Sequence, residues 1–347
     1  MKTIDLRSDT VSQPTPAMRQ AMADAEVGDD VYGEDPSIIR LQELSARLMG
    51  KEAGLFTPSG TMGNLIAILV HCGRGDEVIL GNLAHTFLFE AGGISALGGV
   101  HSCQIQNQPD GTLDLDDIRH AVRPNDPHHP ITRLITLENT HNRCGGVALT
   151  PSYTQAVGEL AREQHLQLHL DGARIFNAAV AQGIPAKELA APVDSVTFCL
   201  SKGLCAPVGS VLCGSTEFII RAHRIRKQLG GGMRQAGILA AAGIVALETM
   251  IDRLEEDHQR AKRLARLLEQ IPGILLDPGT PYTNMVFFTI DKNMIPMTAA
   301  QVSERMAEHG IKLGVTGRFR FRLVTHYWID DQAIDLTAQK LAEILKN

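Results

Sequence analysis

Two residues that chemistry could use stand where apolar runs end. Lys202 follows Val196-Thr197-Phe198-Cys199-Leu200 and Ser201, and Asp171 closes Leu168-His169-Leu170. A lysine at the end of a buried strand is costly unless it has a partner or a task. Its neutral amine can form an imine with an aldehyde; the plainer reading is a lysine leaving the sheet for solvent. A carboxylate in the place of Asp171 can accept from a protonated ring nitrogen and keep that ring a good electron sink; the plainer reading is a helix cap. Arg174, three residues on, can reach the same site from the following turn. Found together on two predicted strands, Lys202 and Asp171 favour chemistry over the plain readings.

Other segments supply candidate partners. Pro58-Ser59-Gly60-Thr61-Met62-Gly63-Asn64 reads as a strand, a glycine turn and the start of an apolar helix. Free backbone N–H groups at such a helix start bind phosphate, with hydroxyls from Ser59 or Thr61, although ordinary helix caps look the same. His85 follows the run Glu77-Val78-Ile79-Leu80 and could stack on a planar ring or move a proton near neutral pH. His128 and His129 lie in the proline-rich loop Arg123 to Pro130, where histidines are usually solvated. Gly230-Gly231-Gly232-Met233-Arg234 reads either as a hinge or as a loop bringing Arg234 to a phosphate or a subunit boundary. Neither nucleotide-binding glycine fingerprint is present.

Strands and helices alternate through the first two thirds of the chain, which predicts an α/β domain with a mostly parallel central sheet. Strand-like runs cover Glu77–Leu80, Leu134–Leu137, Leu166–Leu170, Ser195–Leu200 and Ser210–Cys213. Such sheets carry ligands at the carboxyl ends of their strands. Beyond about residue 250 the pattern changes: Ala261, Leu264, Ala265 and Leu268 recur at helical spacing, and Pro272-Gly273 stops that helix. A strand over Asn284–Ile290, a helix over Ala299–His309, a strand over Phe319–Val324 and a final amphipathic helix complete an α+β domain. The expected division is an arm over residues 1–14, a large domain over 15–250 and a small domain over 251–347.

Composition excludes several function classes. Of 347 residues, 44% are hydrophobic, enough for a large core, and only 4% are aromatic, too few for a base-stacking platform. The net charge is −6 with acids and bases mixed, so neither nucleic acid nor anionic membrane is an expected partner. The densest basic cluster, Arg221, Arg224, Arg226 and Lys227, reads as a solvated helix face or a local anion site. The six cysteines form no C-x-x-C pair and read as small core residues of a reducing compartment. The first residues carry no apolar signal segment, and the run Ile238–Leu247 is too short to span a bilayer. A cytoplasmic protein without a metal site is the expectation.

An ordered series of motifs then identifies a resemblance. It comprises Ile4 to Val11, Val27 to Gly33, Ser59-Gly60-Thr61, Leu137 to Asn142, Asp171-Gly172-Ala173-Arg174, Cys199 to Leu204, Gly230 to Gln235 and Arg322-Leu323-Val324-Thr325-His326. Over almost its whole length the chain resembles the low-specificity L-threonine aldolases, pyridoxal 5′-phosphate enzymes of the aspartate-aminotransferase-like fold (fold type I). The resemblance implies a large domain with a mostly parallel seven-stranded sheet and a small C-terminal α+β domain. It implies pyridoxal phosphate as a Schiff base on Lys202, Asp171 at the ring nitrogen and His85 stacked on the ring. Ser59, Gly60 and Thr61 would hold the phosphate with Ser201 nearby, and Arg234 would serve it, from a neighbouring subunit in one reading. Ser8, Arg174 and Arg322 would hold the amino-acid carboxylate, and His128 would stand near the substrate's β-hydroxyl. A homotetramer, a dimer of dimers with active sites at the dimer interface, is implied as well. Two local departures complicate this: Arg318, Arg320 and Arg322 alternate along a strand, so Arg320 competes with Arg322, and Pro127-His128-His129-Pro130 makes His129 a rival to His128.

The implied reaction is reversible cleavage of L-threonine, L-allo-threonine and related β-hydroxy amino acids to glycine and an aldehyde, a step of threonine catabolism and glycine biosynthesis. The base at the β-hydroxyl would be His85, His128 or a water between them. A β-eliminating lyase or an aminotransferase would use a similar lysine–aspartate pair, and a catalytically silent binding protein is the rival from another class. A metal-dependent aldolase is disfavoured, because no histidine, cysteine and aspartate cluster has ligand spacing.

Overall fold

The computed structural model describes residues 3–346. The chain divides into two compact units, residues 14–251 and, assembled from both chain ends, residues 1–13 with 252–347. The arm therefore groups with the C-terminal segment.

In the larger unit the strands are β2 (Ala53–Thr57), β3 (Glu77–Gly81), β4 (His101–Ile105), β5 (Thr132–Glu138), β6 (Gln167–Asp171), β7 (Ser195–Cys199) and β8 (Ser210–Gly214); β1 (Ile4–Asp5) belongs to the other unit. They form one seven-stranded sheet in the order β2-β8-β7-β6-β5-β3-β4. β4, β3, β5, β6 and β7 pair parallel, and β8 runs antiparallel to both its neighbours. β3, β7 and β8 are buried along their whole length, as strands covered on both faces must be; hence continuous apolar runs rather than alternation. β4 is an edge strand of half-exposed His-Ser-Cys-Gln-Ile, which no run of apolar residues marks. The helix Gly60–His71 packs on this sheet so closely that a Cβ on Gly63 would sit 2.7 Å from Thr197 Cγ2 in β7.

The basic cluster is a solvated face at Arg221, Arg224 and Lys227, which are exposed, but not at Arg226. Arg226 is fully buried, donating to Asp30 Oδ2 at 2.6 Å and to the Phe56 carbonyl at 2.8 Å. Arg221 donates to the Val70 carbonyl at 2.5 Å. The Arg226 guanidinium satisfies a carbonyl and a carboxylate inside the unit, so burial withdraws that one charge from solvent and from anion binding. All six cysteines are free thiols, and four of them are buried.

The smaller unit holds β9 (Ile274–Leu276), β10 (Met285–Ile290), β11 (Ile311–Lys312), β12 (Gly314–Val315) and β13 (Arg320–Val324). β12-β13-β10-β9 form an antiparallel sheet, and β1 pairs parallel with β11. Helices Leu254–Glu269, Ala299–Glu308 and Asp331–Lys346 cover a core that includes Leu264, Phe288, Met306, Phe321 and Leu341.

Candidate active site

The strands that end at Thr57, Gly81, Glu138, Asp171 and Cys199 all point the same way, so the segments after them meet at one edge of the sheet. Asp171 is the last residue of β6 and is buried. Its Oδ2 accepts from Asn64 Nδ2 at 3.0 Å and its Oδ1 from the Ala173 N–H at 3.1 Å. Asn64 Nδ2 also donates to Glu90 Oε1 at 3.0 Å, and that same oxygen stands 2.9 Å from His85 Nδ1. Glu138, which ends β5, accepts from the His85 N–H at 2.7 Å and from the Asn142 N–H at 2.9 Å. His85 is half-buried and sits 5.6 Å from the Phe89 ring.

Burial raises the Asp171 carboxyl above the ordinary carboxylate range, helped by the charges of Glu138 and Glu90 and opposed by Lys202 and His85. The Glu90 hydrogen bond raises His85 above its usual value, against its own burial. The site therefore gathers three buried carboxylates against one lysine and one histidine. His85, Glu90 and Asp171 present one nitrogen and two carboxylates within 4.8 Å of one another. Such a surplus suits a cation, whether a metal ion or a protonated ring nitrogen.

Lys202 and Ser201 follow β7 and are half-buried. Ser59 caps the helix Gly60–His71, its hydroxyl accepting from the Met62 N–H at 3.2 Å. The N–H groups of Gly60 and Thr61 stand ahead of the first helical acceptors, as at any helix start. A Cβ on Gly60 would meet Cys199 Sγ at 2.9 Å and Ser210 Oγ at 3.5 Å, and the buried hydroxyl of Ser210 has no hydrogen-bond partner. A glycine cradle, a donor-rich helix start and an unused hydroxyl fit a phosphate, while the anionic cluster fits a pyridinium. The residues present thus fit pyridoxal phosphate.

The other expected site residues are distributed over both units. Arg174 is buried at the start of the helix Ile175–Gln182, three residues beyond Asp171. Arg234 is exposed and paired with Asp29 at 3.1 Å. In the smaller unit, Arg322 donates to the Arg7 carbonyl at 3.1 Å, next to Ser8, whose hydroxyl caps the turn Asp9–Val11. Arg320 is committed to Asp277 and lies over the Phe287 ring, so it does not compete with Arg322. His128 is not brought to the cluster: it is on the exposed loop before β5, hydrogen-bonded to Asp126 at 2.7 Å, at the opposite end of that strand from Glu138. His129 is exposed on the same loop. Asn64, Glu90 and Glu138 were not singled out from sequence. Glu138 lies within a motif quoted above, and Asn64 closes the Ser59–Asn64 turn, but neither carries a local sign of its partners.

The chain matches the model of the β-eliminating lyase family over residues 5–293. It is 50% identical over 342 residues to low-specificity L-threonine aldolase 1 of Arabidopsis thaliana, covering 97% of this chain and 95% of that protein. It is 47% identical to the low specificity L-threonine aldolase of Escherichia coli K12, covering 98% and 97%. The solved structure of a Leishmania major threonine aldolase superposes with a TM-score of 0.81 at 22% identity over 99% of this chain and 98% of that one, a likeness of fold.

Proposed function

Since the chain belongs to the β-eliminating lyase family and, within it, to the low-specificity L-threonine aldolases, we infer that it cleaves L-threonine and L-allo-threonine to glycine and acetaldehyde, with pyridoxal 5′-phosphate as cofactor. The observation that carries this in the structure is the pair Asp171 and Lys202 after adjacent strands, beside a glycine-cradled helix start. When bound, pyridoxal phosphate accepts the electron pair left by the broken Cα–Cβ bond.

The chain's own residues do the rest. Lys202 supplies the amine that holds the cofactor's aldehyde. Asp171 accepts the ring N–H and keeps it protonated. The Gly60 and Thr61 N–H groups, with the Ser59 and Ser201 hydroxyls, bind the phosphate. His85 would hold the ring; its Nδ1 is engaged by Glu90, which leaves Nε2 to take the β-hydroxyl proton. His128 would reach that hydroxyl only from another subunit, in keeping with a homotetramer (a dimer of dimers) with active sites at the dimer interface. The exposed Arg234 would serve a neighbour's phosphate in the same assembly. Arg174, with Ser8 and Arg322, is the proposed carboxylate anchor. Six free thiols support a reducing compartment, the cytoplasm. Among the described residues no helix is long and apolar enough to cross a membrane.

Purified protein should show a visible absorbance band with pyridoxal phosphate and release equimolar glycine and acetaldehyde from L-allo-threonine. Lys202→Ala should lose both band and turnover. Pyruvate and ammonia, or a keto acid, in place of glycine would move the activity to a sister lyase or aminotransferase.

A further inference from the structure

A line of hydrogen-bonded side chains leads away from the site through the larger unit. Asn64 Oδ1 lies 3.3 Å from His169 Nε2, His169 Nδ1 lies 2.9 Å from Ser195 Oγ, and Ser195 Oγ lies 2.8 Å from His71 Nε2. Asn64, His169 and Ser195 are buried. None of His169, Ser195 and His71 has a part in the chemistry above.

Counting hydrogens gives the line a direction. The carboxylates of Asp171 and Glu90 demand donors, so the NH2 of Asn64 faces them and its carbonyl faces His169. His169 Nε2 must then carry a proton. Burial, with His71 nearby, pushes His169 down to about 3 against an opposing contact with the Ser195 backbone, so the ring is neutral and, with its one proton on Nε2, its Nδ1 accepts. The single Ser195 hydroxyl proton goes to that Nδ1, and Ser195 Oγ accepts from His71 Nε2. Burial and Arg221 push His71 down to about 4, so it too is neutral. His71, Ser195 and His169 each donate once along the line, and the Asn64 NH2 donates to both carboxylates. The reversed line would turn the Asn64 carbonyl onto two carboxylates.

We propose that His71, Ser195 and His169 are positioning residues that lock the Asn64 amide with its NH2 toward Asp171 and Glu90, and so hold Asp171 ionised for the cofactor's ring nitrogen. This rests on the reading of the site as a pyridoxal phosphate site. Asp171 also faces Glu138 at the end of β5, Glu90 and His85 after β3, and Lys202 after β7. Among these, Asn64 is the neutral donor whose orientation is free to reverse. With the lock removed, the amide can turn, and Asp171 holds a proton to higher pH.

The test compares wild type with His169→Phe, which removes the donor, His169→Gln, which keeps a side-chain N–H toward Asn64, and Ser195→Ala, which breaks the next link. Binding of pyridoxal phosphate to each apoprotein is followed by absorbance and fluorescence from pH 5.5 to 8.5. Wild type and His169→Gln should share one profile. In His169→Phe and Ser195→Ala the acid-side loss of binding should begin about one pH unit higher, or about tenfold weaker binding near pH 6, with affinities at pH 8.5 within about threefold of wild type. Imidazole NMR of the wild-type apoprotein should show a neutral His169 protonated on Nε2. Coincident profiles for all four proteins, a loss equal at every pH, or a His169 protonated on Nδ1 would overturn the proposal. Should His169→Phe fail to fold, Ser195→Ala and the tautomer decide. Wild-type protein that takes up no cofactor would sink the functional reading itself, and the positioning role with it.

Discussion

Glu90 serves two partners with one oxygen, accepting from Asn64 and bonding His85 Nδ1. The second contact has a pH consequence. A protonated His85 cannot take the β-hydroxyl proton, so kcat/KM should fall as pH drops through its raised value, above the ordinary 6.5. Glu90→Gln removes the largest cause of that rise and should move the acid limb of the profile to lower pH. An unmoved limb would mean that His85 is not the base. His85→Asn should slow turnover by roughly 10²–10⁴-fold without abolishing it, as loss of general-base help does. Asp171 and Lys202 were legible in the sequence because each closes an apolar run. Asn64 was not, since its carboxylate partners lie 26 and 107 residues along the chain and only the fold brings them together. His128 is the converse: its family role is legible in the sequence, while within one chain it lies at the end of β5 away from Glu138.

The helix Gly60–His71 does more than any other element to build the site, since it carries the proposed phosphate cradle at its start and Asn64 one turn later. Its seat depends on Gly63. Gly63→Ala would drive a methyl to 2.7 Å from Thr197 Cγ2, and overpacking of this kind costs about 1–3 kcal/mol. The expected result is a lower melting temperature with weaker cofactor binding; an unchanged protein would show that the helix is loosely seated. The helix Thr216–Gln228 contributes differently, through the buried Arg226–Asp30 pair. Arg226→Ala leaves Asp30 buried and uncompensated, so urea unfolding should report a loss of about 3–5 kcal/mol. Strands buried on both faces announced themselves as apolar runs, and Asp171 and Lys202 stand at or just beyond their carboxyl ends. The edge strand β4 did not, because half-exposed pairing leaves no pattern. Nor did Arg226: a basic helical stretch looks the same whether its arginines meet water or buried carbonyls.

At the scale of the molecule, buried histidines set the acid limit. Burial holds His71 and His258 near about 4 and His169 near about 3, whereas an unfolded chain protonates histidine near 6.5. Between those values the unfolded state binds more protons, so stability falls as pH drops from 6.5 toward 4. Asp171, Asp257 and His85, raised in the fold, work the other way, against three strongly lowered histidines. Calorimetry of the apoprotein should find a lower melting temperature at pH 5 than at pH 7.5; a flat profile would mean that these rings are not held neutral. The change of pattern near residue 250 was readable, while the allegiance of the arm was not, since β1 finds its partner β11 three hundred residues away. That pairing also orders events during synthesis. Ile4 and Asp5 leave the ribosome well ahead of their partners Ile311 and Lys312. The first strand must therefore wait, unpaired, while the whole of the larger unit is made, and the smaller unit can close only once Ile311 and Lys312 have followed.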